Sequence, residues 1–323
     1  MRTLTAAIIT VGLVASLSAC ATGAPSGDCT PSVKSGDASA LVTSTGKAGT
    51  ELKTDFPTPL ITKGLEVSTI SEGDGDTVYP GEIADFHVTF VEGKTAKPIE
   101  LNGLDATSIL RRTAGDKTDQ LGAIVECASV GDRLAVTTTA GAIKLSNDPD
   151  DKTTVVLVVD IVRSFIGRAD GVPQLAENGM PAIALAPSGQ PGVTIPNEDA
   201  PDKTKASTTV LGSGAKVEED DAVVIHQTIL SWESKKVLDS TWKVDEKPSV
   251  PTTVLAKEDA TGTGGGVIPG VAKSLVGAKV GSQLVVVVPP GDDSFADGAT
   301  LPTGATADDT LVYVIDVLGI QKD

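Results

Sequence analysis

The sequence predicts an α+β protein built from two copies of one domain, each an antiparallel β-sheet curled around a short α-helix. Three observations carry this. Runs of valine, isoleucine and leucine bounded by turn residues recur through both halves, as at 223–230, 283–288 and 310–318, and read as strands. One segment has helical spacing: after Val267-Ile268-Pro269-Gly270, residues Val271, Leu275 and Val276 fall on one face and Gly277 stops the run. Landmarks of the first half also return in the second. Gly73-Asp74-Gly75 with Val78 answers Gly212-Ser213-Gly214 with Val217, and 83–89 aligns with 222–228 at the same offset. Val130-Gly131 answers Val280-Gly281, and the strand 155–162 answers 311–318. The offset grows toward the end, so the second copy carries insertions.

The elements run in chain order from a leader. Residues 1–19 read as a signal peptide, with Arg2 ahead of an apolar run from Leu4 to Val14 that is too short to span a membrane comfortably. It ends in Leu17-Ser18-Ala19-Cys20, which resembles the bacterial lipobox. That resemblance implies acylation of Cys20 and a lipid-anchored protein on the outer face of the cytoplasmic membrane. Residues 20–56, rich in Ser, Gly, Thr, Asp and Ala, are expected to be a tether with one strand near 40–45. The first domain spans 57–167. Residues 168–206, with six prolines, are expected to be a linker or extended arm. The second domain spans 207–323. With Cys20 acylated, Cys29 and Cys127 remain; the even count in an exported chain allows a disulfide, and two free thiols are the alternative.

Composition excludes several functions. Forty-three acidic against 26 basic residues give a net charge of −17, so no basic stripe exists for nucleic acid. Two histidines and three cysteines exclude a His-rich zinc site, an iron–sulfur cluster and an H-E-x-x-H protease, and no metal or cofactor is expected. Aromatics are 3% of residues, so the cores must be aliphatic. His87 and His226 occupy equivalent strand positions in different settings and read as structural. The glycine run 262–266 reads as an insertion, because no Rossmann strand precedes it. Residues 147–151 lack EF-hand spacing.

The second copy resembles the FKBP-type peptidyl-prolyl isomerases. Six landmarks occur in family order: 224–228, 237–242, Val267-Ile268-Pro269-Gly270, 275–281, 287–291 and 310–318. The resemblance covers about 207–320, and V-I-P-G followed by L-x-G-x-x-x-G is its most specific part. It implies two FKBP-like domains, of which the first lacks a Leu-Asp-Ser segment, a V-I-P-G and a Pro-Pro loop, and is degenerate. Position by position, Leu238 and Asp239 match the hydrophobic–Asp pair beside the family's pocket. Val267 and Ile268 match the pair whose backbone contacts bound peptide, Tyr313 the aromatic of the last strand, and Phe295 the aromatic of the loop after the Pro-Pro pair. Two positions depart: the strand Tyr is Gln227, and the Trp that floors the pocket is Val271. Trp242 or Trp232 is a candidate replacement wall.

The reaction so implied needs no nucleophile or general base. Rotation about an X-Pro bond is slow because amide resonance must be broken, and the twisted amide is less polar than the planar one. A dry pocket favours it, and a few fixed polar groups hold the displaced carbonyl. Here Asp239 would orient or polarise, the Ile268 N–H would anchor, and Tyr313 would line the pocket. The expected function is membrane-anchored isomerisation of X-Pro segments in exported polypeptides, assisting their folding. The alternative is a non-catalytic chaperone or protein-binding module on the same fold. A solute-binding lipoprotein is disfavoured, because it needs two large α/β lobes. The oligomeric state is not legible.

Overall fold

The computed structural model describes residues 28–116, 118–242 and 249–322. Sheets dominate it, and its helices are short. The chain opens with a 3₁₀ turn, Ser39–Leu41, and a hairpin of β1 (Thr43–Thr45) and β2 (Lys53–Asp55). The first sheet comes next: β3 (Glu66–Ser71), β4 (Ile83–Glu92), β5 (Leu110–Thr113), then α1 (Gln120–Ile124), β6 (Arg133–Thr139) and β7 (Thr154–Phe165). Beyond it lie β8 (Val172–Pro173) and a hairpin of β9 (Ala182–Leu185) and β10 (Pro191–Thr194). The second sheet holds β11 (Lys205–Leu211), β12 (Ala222–Ser231), β13 (Val237–Ser240), β14 (Thr252–Leu255), α2 (Pro269–Leu275), β15 (Gln283–Val288) and β16 (Leu311–Gln321).

The strands pair antiparallel, and both sheets have one spatial order. The first runs β3-β6-β7-β4-β5; the second runs β11-β15-β16-β12, with β13 and β14 sharing the far side of β12 and β8 added at the β11 edge. The inner faces hold the two main cores. Phe86, Val88, Ile124, Val136, Leu157 and Val159 fill the first. Ile225, Ile229, Val271, Leu275, Val286 and Ile315 fill the second. The repeated Gly-x-Gly has a steric cause. A Cβ on Gly73 would collide with the Val130 carbonyl, and one on Gly212 with the Val280 carbonyl.

The helix after V-I-P-G forms where Pro269 sits at its first position, with φ already suited to the helix. Its packed face is Val271, Ala272 and Leu275. Val276, expected on that face, is instead the C-cap residue in extended conformation, and it is exposed. The helix ends one residue too early to bury it.

Two expectations for the connecting segments are corrected. The strand expected near 40–45 is β1, but from residue 28 the expected tether is built onto the outer face of the first sheet. Ala38, Val42, Phe56 and Leu60 pack there against Val91, Ala135 and Val156. Burying each of the larger side chains is worth about 1.5–3 kcal/mol, which is why this polar segment orders. The expected linker does the same for the second sheet, where Met180 and Ile195 pack on Leu230, Trp232, Val285, Val287, Val312 and Val314. The two arms are themselves part of the repeat. Thr43 pairs with Asp55, and Ala182 with Thr194. The differences 182 − 43 and 194 − 55 are both 139, so the hairpins share one register and one offset. The signal peptide and Cys20 lie outside the described residues.

Covalent and polar ties fix these layers. Cys29 and Cys127 are bonded, with Cα atoms 5.5 Å apart. The two sheets meet through Ile83, Phe165, Val224 and Leu318. Arg111 grips the buried Asp85 through two bonds of 2.7 and 2.8 Å and reaches Thr253 Oγ1 at 2.8 Å. One buried aspartate recurs on each last strand. Asp160 takes two bonds from Arg133, at 2.6 and 3.1 Å. Asp316 instead accepts from Gln283 Nε2 at 2.7 Å and from the Ala169 N–H at 2.9 Å. Among the described residues no arginine bonds Asp316 as Arg133 bonds Asp160, and burial pushes its carboxyl up to about 6.

Candidate functional site

The inner face of the second sheet brings most of the sequence-selected residues together. Leu238, Val267, Ile268, Val271, Phe295 and Tyr313 share one apolar cluster. Alternation along β12 turns Ile225, Gln227 and Ile229 inward, and β16 turns Tyr313 inward opposite Ile229. β13 pairs Asp239 with the same Ile229, which sets this exposed carboxylate at the rim. Gln227 Nε2 donates to Asp239 Oδ2 at 3.4 Å, so the inward side chain of Gln227 reaches the rim carboxylate. Burial, with the nearby Asp239 charge second, raises the Tyr313 phenol above its ordinary value and keeps it protonated.

Ile268 stands at the N-cap of α2. Its carbonyl accepts from Val271 N at 2.9 Å and Ala272 N at 3.0 Å. Val267 before it is held in extended form, donating to Lys257 O at 3.1 Å and accepting from Asp259 N at 2.7 Å. Among the described residues, no hydrogen bond takes the Ile268 N–H. It is a backbone donor on an apolar wall, left without a partner among the described residues.

The cluster is closely filled. Val271, Ile268 and Tyr313 are 1, 3 and 5% exposed. A cavity of about 630 Å³ adjoins it under the 290–309 loop and shares Phe295 and Leu311 with it. Asp292, Asp297, Asp308 and Asp309 also line that cavity. Lys273 on α2 bonds Asp293 and holds its carboxyl below the usual range, which ties the loop to the helix.

Trp242 does not join the pocket. It lies on the opposite face of the sheet, stacked on His226 with ring centroids 4.0 Å apart. The reason is strand parity: His226 faces outward between the inward Ile225 and Gln227, and Trp242 goes with it. Trp232 likewise faces outward, into the cluster under the β9–β10 arm. Burial pushes His226 down to about 3, so it is a neutral structural residue bonded to Thr241 Oγ1 at 2.8 Å.

The first sheet retains more of the pocket frame than the sequence suggested. Ile99 N–H donates to Phe90 O, and Val91 bridges Pro98, as Leu230 pairs with Val237 in the second sheet. Ile99-Glu100 therefore stands where Leu238-Asp239 stands. Glu100 is one methylene longer than the aspartate of the second copy, which hides the correspondence in the sequence.

No family model matches the chain. A Corynebacterium glutamicum protein described as a probable FK506-binding protein is 24% identical over 129 residues, 40% of this chain and 97% of that protein. Among solved structures, the three FKBP domains of wheat FKBP73 cover 80% of this chain and 96% of that chain, at 13% identity and a TM-score of 0.30. FkpA from Escherichia coli covers 45% of this chain and 53% of that one, at 18% identity and a TM-score of 0.30. The corynebacterial match supports an FKBP-type relationship; the structural likenesses, at these TM-scores, add nothing to it.

Proposed function

We propose that the second domain is a peptidyl-prolyl cis–trans isomerase of FKBP type. We further propose that the chain works outside the cytoplasmic membrane, held by a lipid on Cys20, on X-Pro segments of exported polypeptides. The observation that carries the reading is the Ile268 N–H, unpartnered among the described residues on a wall made by Leu238, Val267, Phe295 and Tyr313, with Asp239 at the rim. A substrate carbonyl accepting from Ile268 leaves the prolyl ring against the apolar residues. The twisted amide, less polar than the planar one, is favoured in that dry surrounding. Asp239 orients the chain beyond the ring.

The close filling around Val271 and Tyr313 favours a second reading, a binding module without turnover. One experiment separates the two: catalysed isomerisation of a short X-Pro peptide by the full chain, with Asp239→Ala and Tyr313→Phe beside it. The isomerase reading expects catalysis from the parent chain and a loss of tenfold or more in kcat/KM for Asp239→Ala, with the fold intact by circular dichroism. A folded parent chain without catalysis sinks the isomerase and leaves the module.

A further inference from the structure

We propose that the first sheet carries a peptide site of its own: the one-residue gap in the edge of β4 at Val88, between β5 and the 97–99 segment, takes one extended, non-proline residue of a peptide with apolar side chains and basic flanks. The argument starts from the backbone. In an antiparallel pair, alternate residues direct their N–H and C=O away from the partner strand. Phe90 accepts from Ile99 N and Glu92 donates to Lys97 O, both at 2.8 Å, so these two residues direct their groups away from β7. Val88, two residues earlier in the same regular stretch, does so too. β5 covers β4 from Ile83 to Phe86 and the 97–99 segment covers it from Phe90 to Glu92, so Val88 is the residue left between them. In the second sheet the equivalent Gln227 is fully served, since Thr241 N donates to its carbonyl at 3.0 Å and Thr241 Oγ1 accepts from its N–H at 2.9 Å. Among the described residues nothing does this for Val88. Unpaired backbone groups on a residue this buried call for a partner.

The edge opens on a cavity of about 660 Å³. Val88, Phe90, Ile99, Leu101 and Leu104 give it an apolar wall, and Leu52 from the arm closes one end. Its charged lining residues are Glu51, Glu100 and Asp105, with no lysine or arginine. The two features select one occupant. The edge demands backbone N–H and C=O in extended form, which proline cannot supply. The rim demands cationic flanks. This site is independent of the isomerase reading, because its ligand excludes proline and its residues lie on the other sheet.

The test uses the full chain and a labelled peptide, Lys-Lys-Val-X-Val-Lys-Lys, where X is photoreactive benzoylphenylalanine. Saturable binding, with crosslinks on 88–90 or 98–106, is the expected result. Replacing the lysines by glutamates should weaken binding at least tenfold at low salt, and Glu51→Lys with Glu100→Lys should reverse that preference. Both positions are exposed, so the fold is not at risk. N-methylation at X, the residue placed opposite Val88, should abolish binding, whereas N-methylation of the valine that follows it should not. Crosslinks confined to 290–309, indifference to N-methylation, or self-association of the chain through this face without peptide uptake would each overturn the proposal.

Discussion

Folding relocates one proton between two cross-strand neighbours, and the stability of the second sheet should reveal it. His226 on β12 pairs with Asp316 on β16. Burial pushes the imidazole down to about 3 from 6.5 and the carboxyl up to about 6 from 3.8. Between pH 4.5 and 6 the unfolded chain holds the proton on His226, whereas the folded chain holds it on Asp316. The signs are opposite. The depressed imidazole makes stability fall as pH drops below 6.5. The raised carboxyl makes stability fall as pH rises from 3.8 through 6. Each contributes a slope of about 1.36 kcal/mol per pH unit, so in the parent chain the two cancel. Asp316→Asn leaves only the imidazole. Relative to the parent, it should lose about 2 kcal/mol on acidification from pH 6 to 4.5, and His226→Asn should gain about as much. Urea unfolding followed by tryptophan fluorescence suits the measurement, because Trp232 and Trp242 both belong to the second half of the chain. Stability profiles of the parent and both variants running parallel across that window would refute the reasoning.

Three further outcomes are expected. Reducing the Cys29–Cys127 bond, which spans a sequence separation of 98, should cost about 4–5 kcal/mol in the unfolding free energy of the first sheet, read as a drop in urea midpoint with reductant; an unchanged midpoint would contradict it. Arg111→Met strips the buried Asp85 of its bidentate partner, leaving Arg163 at 3.8 Å, and should destabilise by about 3 kcal/mol by denaturant titration. Gly212→Ala forces a Cβ into the Val280 carbonyl and should lower the thermal midpoint by several degrees, whereas Gly64→Ala, with open space around it and no positive φ, should leave it unchanged.

The strands were legible because a valine-rich run has one reading as a buried strand, and α2 because Pro269 and Gly277 bracket its spacing. The arms were legible only at β1, which falls at the strand expected near 40–45. β2, β9 and β10 are three or four residues long and set among glycine, serine and proline, so local composition reads them as linkers. Only the distant outer faces they cover make them fold. The sides taken by site residues were partly legible. Alternation sends Gln227 inward and His226 outward, but a bulge between Ile229 and Leu230 lets Leu238 and Asp239 both serve the inner side and carries Trp242 to the outer one. A bulge leaves no mark in a single sequence.

The Cys29–Cys127 bond also decides how the molecule bears load. A pull arriving through the chain ahead of Cys29 passes across the sulfurs to Cys127 and enters the first sheet just before β6. Residues 30–126, among them the arm, β3, β4 and β5, are a closed loop hanging off that line of force. Their backbone is not stretched while the bond holds. Reduction would reroute the same force into the arm, where the Ser32 N–H bond to Glu126 and the Val67 N–H bond to the Lys34 carbonyl would load before the β1–β2 hairpin.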